Sequence, residues 1–154
     1  MTRIVEGSRN GQGLHIGMAA ARWNQAITDR LVDGAIARLE ELGVEEITLL
    51  RVSGALELPL AAQKLVENGC DAVVAIGTVV KGETDHYEIV VEESAQGISR
   101  VALDTGVPVA NAILAVHDYE LALERAGSGD ANKGVEAVDA AVTTANALRE
   151  LGRL

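Results

Sequence analysis

Short apolar runs alternate along the chain with longer segments that mix apolar and polar residues. The runs have the length of buried strands, and their apolar residues are continuous rather than alternating with polar ones. This pattern is typical of parallel strands that are covered on both faces. The predicted strands are residues 14–21, 47–52, 72–76 and 109–114.

The segments between the runs have helical spacing. After the first run, Ile27, Leu31 and Ala35 recur every four residues. Gly43 then favours the end of that helix. Alternating strands and helices predict one α/β domain over residues 1–154, a three-layer αβα sandwich with a four-stranded parallel sheet of flavodoxin-like type. The predicted helices cover residues 25–42, 56–68, 84–103, 119–126 and 133–151.

The carboxyl ends of parallel strands form one edge of such a sheet, and ligands bind at that edge. Polar and glycine-containing segments follow the predicted strands, so their side chains should converge there. The sequence therefore predicts a ligand site built from loops of separate strands. The converging segments are 23–24, 54–57, 79–86 and 111–115.

The segment after the third strand, Gly77 to His86, combines a turn with a helix start. Gly82 lets the backbone turn tightly, and Thr84 has a side chain suited to a helix N-cap. The free N–H groups and the positive dipole end of a helix's first turn attract anions such as phosphate. His86 lies in that turn and can carry a proton near neutral pH. An ordinary capped helix with a surface histidine explains the same residues, so this segment alone leaves both interpretations open.

Composition narrows the range of partners. The chain has 23 acidic and 13 basic residues, a net charge of −10, and no Lys/Arg cluster, which argues against nucleic acid. There is no signal-peptide pattern and no apolar run of membrane length, so we expect a cytoplasmic protein without a membrane partner.

The single cysteine, Cys70, indicates a reducing compartment and is expected to be a buried apolar residue. The large rings available for stacking are Trp23, Tyr87 and Tyr119.

Five short motifs occur in and after these segments. They are an aromatic-Asn pair (Trp23-Asn24), G-A-x-E-x-P (Gly54 to Pro59), G-x-V-x-x-G-x-T-x-H (Gly77 to His86), E-R-A-G (Glu124 to Gly127) and N-K-G (Asn132 to Gly134). In this order, and from about Val5 to Leu151, the chain resembles the 6,7-dimethyl-8-ribityllumazine synthases, the penultimate enzymes of riboflavin biosynthesis.

The resemblance implies a condensation of 5-amino-6-(D-ribitylamino)uracil with 3,4-dihydroxy-2-butanone 4-phosphate. The products would be 6,7-dimethyl-8-ribityllumazine, phosphate and water, and the reaction would need neither a metal nor an organic cofactor. The amine of the pyrimidine attacks the ketone, so no catalytic lysine is required. His86 is then the candidate catalytic residue, because elimination of phosphate and ring closure both move protons.

The resemblance also divides the substrate-binding residues into two groups. On the pyrimidine side, Trp23 would stack on the ring and Glu57 would accept hydrogen bonds from ribityl hydroxyls. On the phosphate side, Arg125 and Lys133 would hold the anion together with the turn 82–84. Taken singly, these residues have ordinary explanations, such as a core ring for Trp23 and a helix N-terminal charge for Glu57. The complete set of candidates is Trp23, Asn24, Gly54, Ala55, Leu56, Glu57, Val79, Val80, Glu83, Thr84, Asn111, Arg125 and Lys133.

The chain departs from the family pattern in and after the fourth strand. Asn111 stands where an aromatic residue is usual, and Leu121 stands where Gln is usual. His117 and Tyr119 lie in the same altered segment and are interpreted first as surface residues, with a place in the pocket as the alternative. A non-catalytic shell-forming or flavin-binding relative is therefore the second functional hypothesis, and the intact His86 favours the enzyme.

Members of the family form pentamers whose active sites lie between adjacent subunits, so the resemblance implies a homopentamer. Residues 1–13 are either a flexible terminus or an arm that pairs with a neighbour's sheet. Ser128 to Ala131 match the length found in members that close into icosahedral shells, which we favour, and a shell can enclose riboflavin synthase. Val135, Val138 and Val142 are expected to form an apolar helix face that one chain leaves uncovered.

Overall fold

The strands form one parallel sheet. A computed structural model describes residues 1–83 and 86–152. Its strands are β1 (His15–Ala21), β2 (Glu46–Val52), β3 (Ala72–Val80) and β4 (Val109–Val116). They lie in the order β2-β1-β3-β4, and each neighbouring pair is parallel. The predicted four-stranded parallel sheet is therefore confirmed.

Two layers of helices cover the sheet. The helices are α1 (Gln25–Glu41), α2 (Leu58–Glu67), α3 (His86–Thr105), α4 (Tyr119–Arg125) and α5 (Lys133–Gly152). Buried residues of α1, α4 and α5 pack on one face, and those of α2 and α3 pack on the other, as expected for a three-layer sandwich. None of the described helices is long and apolar enough to cross a membrane.

Consecutive residues of the central strands point into different helical layers. In β1, Ile16 packs in the layer of α1 and α5, whereas Ala19 and Ala21 pack in the layer of α2 and α3. Both layers bury these side chains, which explains why the apolar run is continuous. Small residues bring the start of α2 close to the sheet, since a Cβ atom at Gly77 would lie 3.3 Å from Cδ1 of Leu58.

One helix start differs from the sequence prediction, and another lies outside the described residues. The second helix is preceded by a short 3₁₀ turn, Ala55–Glu57, so the regular α-helix starts later than expected. The third helix was predicted to begin at Thr84, which lies outside the described residues. Its described part begins at His86.

Asn132 ties α5 to α1 and is only 3% exposed. Its Oδ1 accepts from the Gly134 N–H (2.8 Å), and its Nδ2 donates to the Arg30 carbonyl of α1 (3.1 Å). A Cβ atom at Gly134 would collide with the Leu31 carbonyl, so glycine permits the close approach of the two helices. Two residues of the N-K-G motif therefore serve packing, which leaves Lys133 as the member available for a ligand.

The N-terminal residues 1–13 form no strand in the described chain and lie along α5. The side-chain amide of Asn146 donates to the carbonyls of Ser8 and Asn10, both at 2.8 Å. Gly7 has a positive φ of 75° and lies so close to α5 that a Cβ atom would collide with the Thr143 carbonyl. The segment is therefore anchored on its own helix, and its pairing with a neighbouring sheet stays a prediction.

The expected uncovered face of α5 was assigned to the wrong residues. Val138 and Val142 are fully buried within the single chain, because this side of α5 packs against α1 and the sheet. Other apolar side chains are exposed instead: Leu60 of α2, Ile89 and Leu103 of α3, Leu121 of α4, and Leu148 and Leu151 near the end of α5.

Candidate active site

The turn after β1 is joined to the end of β2. The backbone N–H groups of Arg22 and Trp23 donate to the Ser53 carbonyl, at 3.1 and 3.0 Å. The Trp23 side chain is 66% exposed, which excludes the core-ring interpretation. Its indole lies against Gly54, where an added Cβ atom would be 2.5 Å from Cζ3 of the ring. Glycine at this position therefore provides a flat surface for an exposed aromatic ring.

Asn24 holds the turn in an unusual backbone conformation. Its φ and ψ are 58° and 43°, and it is the only non-glycine residue with a positive φ in the described part of the chain. Its Nδ2 donates to the Thr78 carbonyl at the end of β3 (2.8 Å). The Asn24 side-chain amide was predicted to bind substrate, and one of its N–H groups instead connects the turn after β1 to β3.

Glu57 has a structural contact at the end of β2. One carboxylate oxygen, Oε1, accepts from the Gly54 N–H at 3.0 Å, while the Glu57 N–H donates to the Gly54 carbonyl at 3.2 Å. The side chain is exposed, so the second oxygen remains accessible. The predicted helix N-terminal role and the predicted ligand role are thus compatible. Ala55 is buried beside this contact, whereas Leu56 is 47% exposed.

The end of β3 leads into the predicted phosphate turn. Val79 and Val80 are half-buried, and Glu83 is exposed. His86 is exposed at the first described residue of α3. Gly82 is not among the glycines with a positive φ, and no described atom approaches the place of a Cβ. Gly82 itself therefore does not need a conformation reserved for glycine. The tight turn expected from sequence continues into residues 84–85, outside the described part of the chain, and stays a prediction.

An aromatic contact joins this turn to the loop after β4. The rings of Tyr87 and His117 are 5.5 Å apart in an edge-to-face arrangement with an interplanar angle of 81°. Tyr87 is only 7% exposed, and burial, with a smaller effect of the Glu88 carboxylate, raises the pKa of its hydroxyl. His117 is exposed, as first interpreted, but its ring packs against Tyr87, the residue that follows His86 in sequence. Thirty residues separate the two rings, so no local pattern could have revealed the contact.

Asn111 is in the wrong place for the predicted loop. The strand runs on to Val116, which pairs with Val80, so residues 111–115 lie within β4. Asn111 is exposed and pairs with Ala75, five residues before the end of the ladder at Val80, or about 17 Å along the strand. Its Oδ1 accepts from the Ile113 N–H (2.8 Å). Within one chain it therefore belongs to the open edge of the sheet rather than to the loop cluster.

Arg125 and Lys133 are also distant in sequence from the loop cluster, and neither contacts a residue of that cluster among the described residues. Arg125 ends α4, is exposed, and makes no hydrogen bond or ion pair with a described residue. Lys133 begins α5, and its Nζ lies 3.4 Å from Oε1 of Glu136. A groove of about 590 Å³ runs between α1 and the α4–α5 junction, but neither cation lines it. The single chain thus provides the two cations without joining them to Trp23 or Glu57.

Cys70 plays no part in this edge of the sheet. It is 4% exposed, as expected for a buried apolar residue. Burial, assisted by the charges of Asp71 and Glu46, raises the pKa of its thiol to about 11. Cys70 is therefore a thiol rather than a thiolate at neutral pH. Among the residues described, no group of three or more His, Cys, Asp or Glu side chains could hold a metal ion.

These features define an α/β protein in which loop residues of separate strands, among them Trp23, Gly54 and Glu57, meet at the carboxyl edge of a parallel sheet. Residues 13–149 match the sequence model of the 6,7-dimethyl-8-ribityllumazine synthase family. The chain therefore belongs to that family.

Proteins named 6,7-dimethyl-8-ribityllumazine synthase from three organisms show the extent of the similarity. The Streptomyces avermitilis protein is 46% identical over 93% of this chain and 90% of its own length. The Thermococcus kodakarensis protein is 43% identical over 97% of this chain and 96% of its own. The Paraburkholderia phymatum protein is 48% identical over 89% of this chain and 79% of its own length. The similarity thus extends over nearly the whole chain.

Gly54→Ala should displace the Trp23 ring, because the new methyl group would occupy the space of the indole. The exposed ring can swing into solvent, so the loss of stability should stay below about 1 kcal/mol. If Trp23 stacks on the pyrimidine, the KM for that substrate should rise by about tenfold. Steady-state kinetics and thermal unfolding measure the two effects. An unchanged KM for the pyrimidine in a folded Gly54→Ala variant would contradict the stacking role of Trp23.

Proposed function

We propose that this chain is a transferase that condenses 5-amino-6-(D-ribitylamino)uracil with 3,4-dihydroxy-2-butanone 4-phosphate to give 6,7-dimethyl-8-ribityllumazine. The observation that carries the proposal is the pairing of an exposed indole and a carboxylate at Gly54, in a chain of this family. A ring and a hydrogen-bond acceptor at one place suit a flat pyrimidine that carries a polyhydroxylated side chain.

The pyrimidine group of residues uses these two features. Trp23 offers one open face for stacking, because Gly54 covers the other. The accessible oxygen of Glu57 accepts hydrogen bonds from ribityl hydroxyls while Oε1 stays on the Gly54 N–H. Ala55 and the half-buried ends of β3, Val79 and Val80, supply backbone groups to the polar edge of the ring. The oxygen of the Asn24 side chain completes this group.

The phosphate group of residues lies on α3, α4 and α5. The first turn of α3 offers backbone N–H groups and a positive dipole end to the anion. Glu83 and Thr84 precede His86 in sequence and are assigned to the same anion, although Thr84 lies outside the described residues. Arg125 has no competing partner among the described residues, and Lys133 shares its charge with Glu136 across 3.4 Å. Arg125 is therefore the principal cation for phosphate, and Lys133 supports it.

The reaction divides between these groups. The substrate amine attacks the ketone carbon, water leaves, and an imine forms. Phosphate then leaves, the ribityl-bearing nitrogen attacks the remaining carbonyl carbon, and a second water leaves as the second ring closes. Each of these steps moves a proton. His86 moves the protons, and the stacked Trp23 with the phosphate residues holds the reacting atoms together.

The decisive test of the function is direct. Purified protein mixed with both substrates should produce the absorbance and fluorescence of the lumazine, together with inorganic phosphate. A folded protein that gives neither product would refute the proposal and favour the non-catalytic relative, which the family match and the retained site residues do not favour.

His86→Ala should slow the condensation at pH 7 without unfolding the chain, because the side chain is exposed. General acid–base catalysis contributes roughly 10²–10⁴ in rate, and we expect the low end, since this condensation also proceeds slowly without enzyme. The pH–rate profile measures the effect. His117→Ala is the matched control, because it removes an exposed histidine from the adjoining loop. A full rate for His86→Ala across the pH range would make His86 structural.

Arg125→Ala should raise the KM for the butanone phosphate by tens-fold and change the KM for the pyrimidine much less. The loss of a charge-assisted contact of roughly 1.5 to 3 kcal/mol gives this size of effect. Arg100→Ala, at an exposed arginine of α3, controls for the general loss of positive charge. Equal rises for both substrates would indicate damage to the fold instead.

The functional unit is proposed to be a homopentamer, with the loops of one chain completed by Asn111, Arg125 and Lys133 of its neighbour. The exposed apolar residues of α2, α3 and α4 and the separation of the two cations from Trp23 support this arrangement. The four residues Ser128 to Ala131 favour further closure into an icosahedral shell, with riboflavin synthase as a possible enclosed partner.

Light scattering and electron microscopy of dilute protein should therefore show hollow shells built from pentamers. A stable lone pentamer or decamer would refute the shell and leave the shared site intact. A monomer with full activity would overturn the shared site.

A further inference from the structure

Two buried hydroxyl groups lie next to the backbone of the turn that carries Trp23. Thr28 is fully buried in the first turns of α1, and Thr78 is 5% exposed on β3, next to Val79. Their Oγ1 atoms are 3.0 Å apart. Neither residue belongs to the proposed substrate-binding set, and burial prevents both from touching a ligand directly.

The hydrogen bonds between these groups have a fixed direction. The Thr28 hydroxyl donates to the Trp23 carbonyl at 3.1 Å. A hydroxyl has one hydrogen, so Thr28 must accept from the Thr78 hydroxyl. The result is a relay from Thr78 through Thr28 to the backbone of Trp23. The bond from the Asn24 amide to the Thr78 carbonyl, 2.8 Å, ties the same turn to β3 a second time.

The Trp23 ring depends on these ties for its direction. It is 66% exposed and has the Gly54 surface on one side, so few side-chain contacts restrain it. Its backbone is held from both sides, by Ser53 through the N–H and by Thr28 through the carbonyl. The next residue, Asn24, has a left-handed conformation, which Asn adopts more readily than most residues other than glycine, and its amide bond to the Thr78 carbonyl holds it there.

We propose that Thr28 and Thr78 are positioning residues that hold the Trp23 ring in place for the pyrimidine substrate. This inference rests on the proposed stacking role of Trp23. The two threonines act through the backbone of the turn, which is why their effect should be confined to one of the two substrates.

Thr28→Val tests the relay, because it keeps the branched shape and removes both hydroxyl bonds. Thr28→Ser keeps the hydroxyl and serves as the rescue. Thr143→Val is the matched control, since the Thr143 hydroxyl donates to a carbonyl of its own helix, Asp139 at 2.7 Å, away from the site. Trp23 is the only tryptophan of the chain, so intrinsic fluorescence and its quenching by acrylamide report on this ring alone.

Thr28→Val should raise the KM for the pyrimidine by about fivefold or more, with the KM for the butanone phosphate within about twofold of the original value. The quenching of Trp23 fluorescence by acrylamide should also change in this variant, because the indole ring is no longer held at one angle. Thr28→Ser and Thr143→Val should retain the original kinetics and fluorescence. Thr78→Val removes only the bond from the Thr78 hydroxyl to Thr28, so its changes in the pyrimidine KM and in quenching should have the same direction and be smaller.

An unchanged pyrimidine KM and unchanged quenching in Thr28→Val would overturn the proposal, and so would equal rises in both KM values. Circular dichroism identifies a variant that does not fold, and if Thr28→Val fails, Thr78→Val decides by the same criteria. Absence of lumazine from the original protein would refute the proposed function instead. The fluorescence comparison would then still decide whether the hydroxyls hold the ring.

Discussion

Burial of the parallel sheet on both faces is the constraint on which the rest of the chain depends. Both helical layers pack on β1 and β3, so polar side chains are largely restricted to the loops beyond the strand ends. Because all four strands are parallel, the loops that follow them reach one edge. The small residues Ala21, Ala55 and Gly77 then let the start of α2 come close to that edge, which brings Gly54 and Glu57 beside the turn of Trp23.

Much of this arrangement could be predicted because it is encoded locally. Continuous apolar runs and helical spacing gave the order of elements, and the motifs placed Trp23, Glu57 and His86 on loops of one sheet edge. The error at Asn111 has a physical cause. An apolar pattern indicates where burial ends, but a strand continues for as long as a neighbouring strand pairs with it. Because β3 continues to Val80, β4 continues to its partner Val116.

The remaining features depend on contacts between distant residues. The buried pair Thr28 and Thr78 is separated by fifty positions, and a threonine in an apolar segment has no sequence feature that identifies its partner. The burial of Val138 depends on how α5 meets the sheet rather than on its own spacing. Long-range geometry of this kind is decided by packing, so a periodic pattern can predict that a face is apolar but not what covers it.

The open edge of β4 shows how the fold links chemistry to assembly. Alternate residues of β4 turn their backbone groups toward β3, as the bonds from Val73 to the Pro108 carbonyl and from Lys81 to the Val116 carbonyl show. Ile113 has the opposite parity, so its N–H faces away from the sheet, and the Asn111 side chain satisfies it. An edge strand that presents polar side chains and unpaired backbone groups is accessible to a neighbouring chain. In the proposed pentamer, the same edge that would otherwise be exposed supplies Asn111, which one chain cannot bring to its own loops.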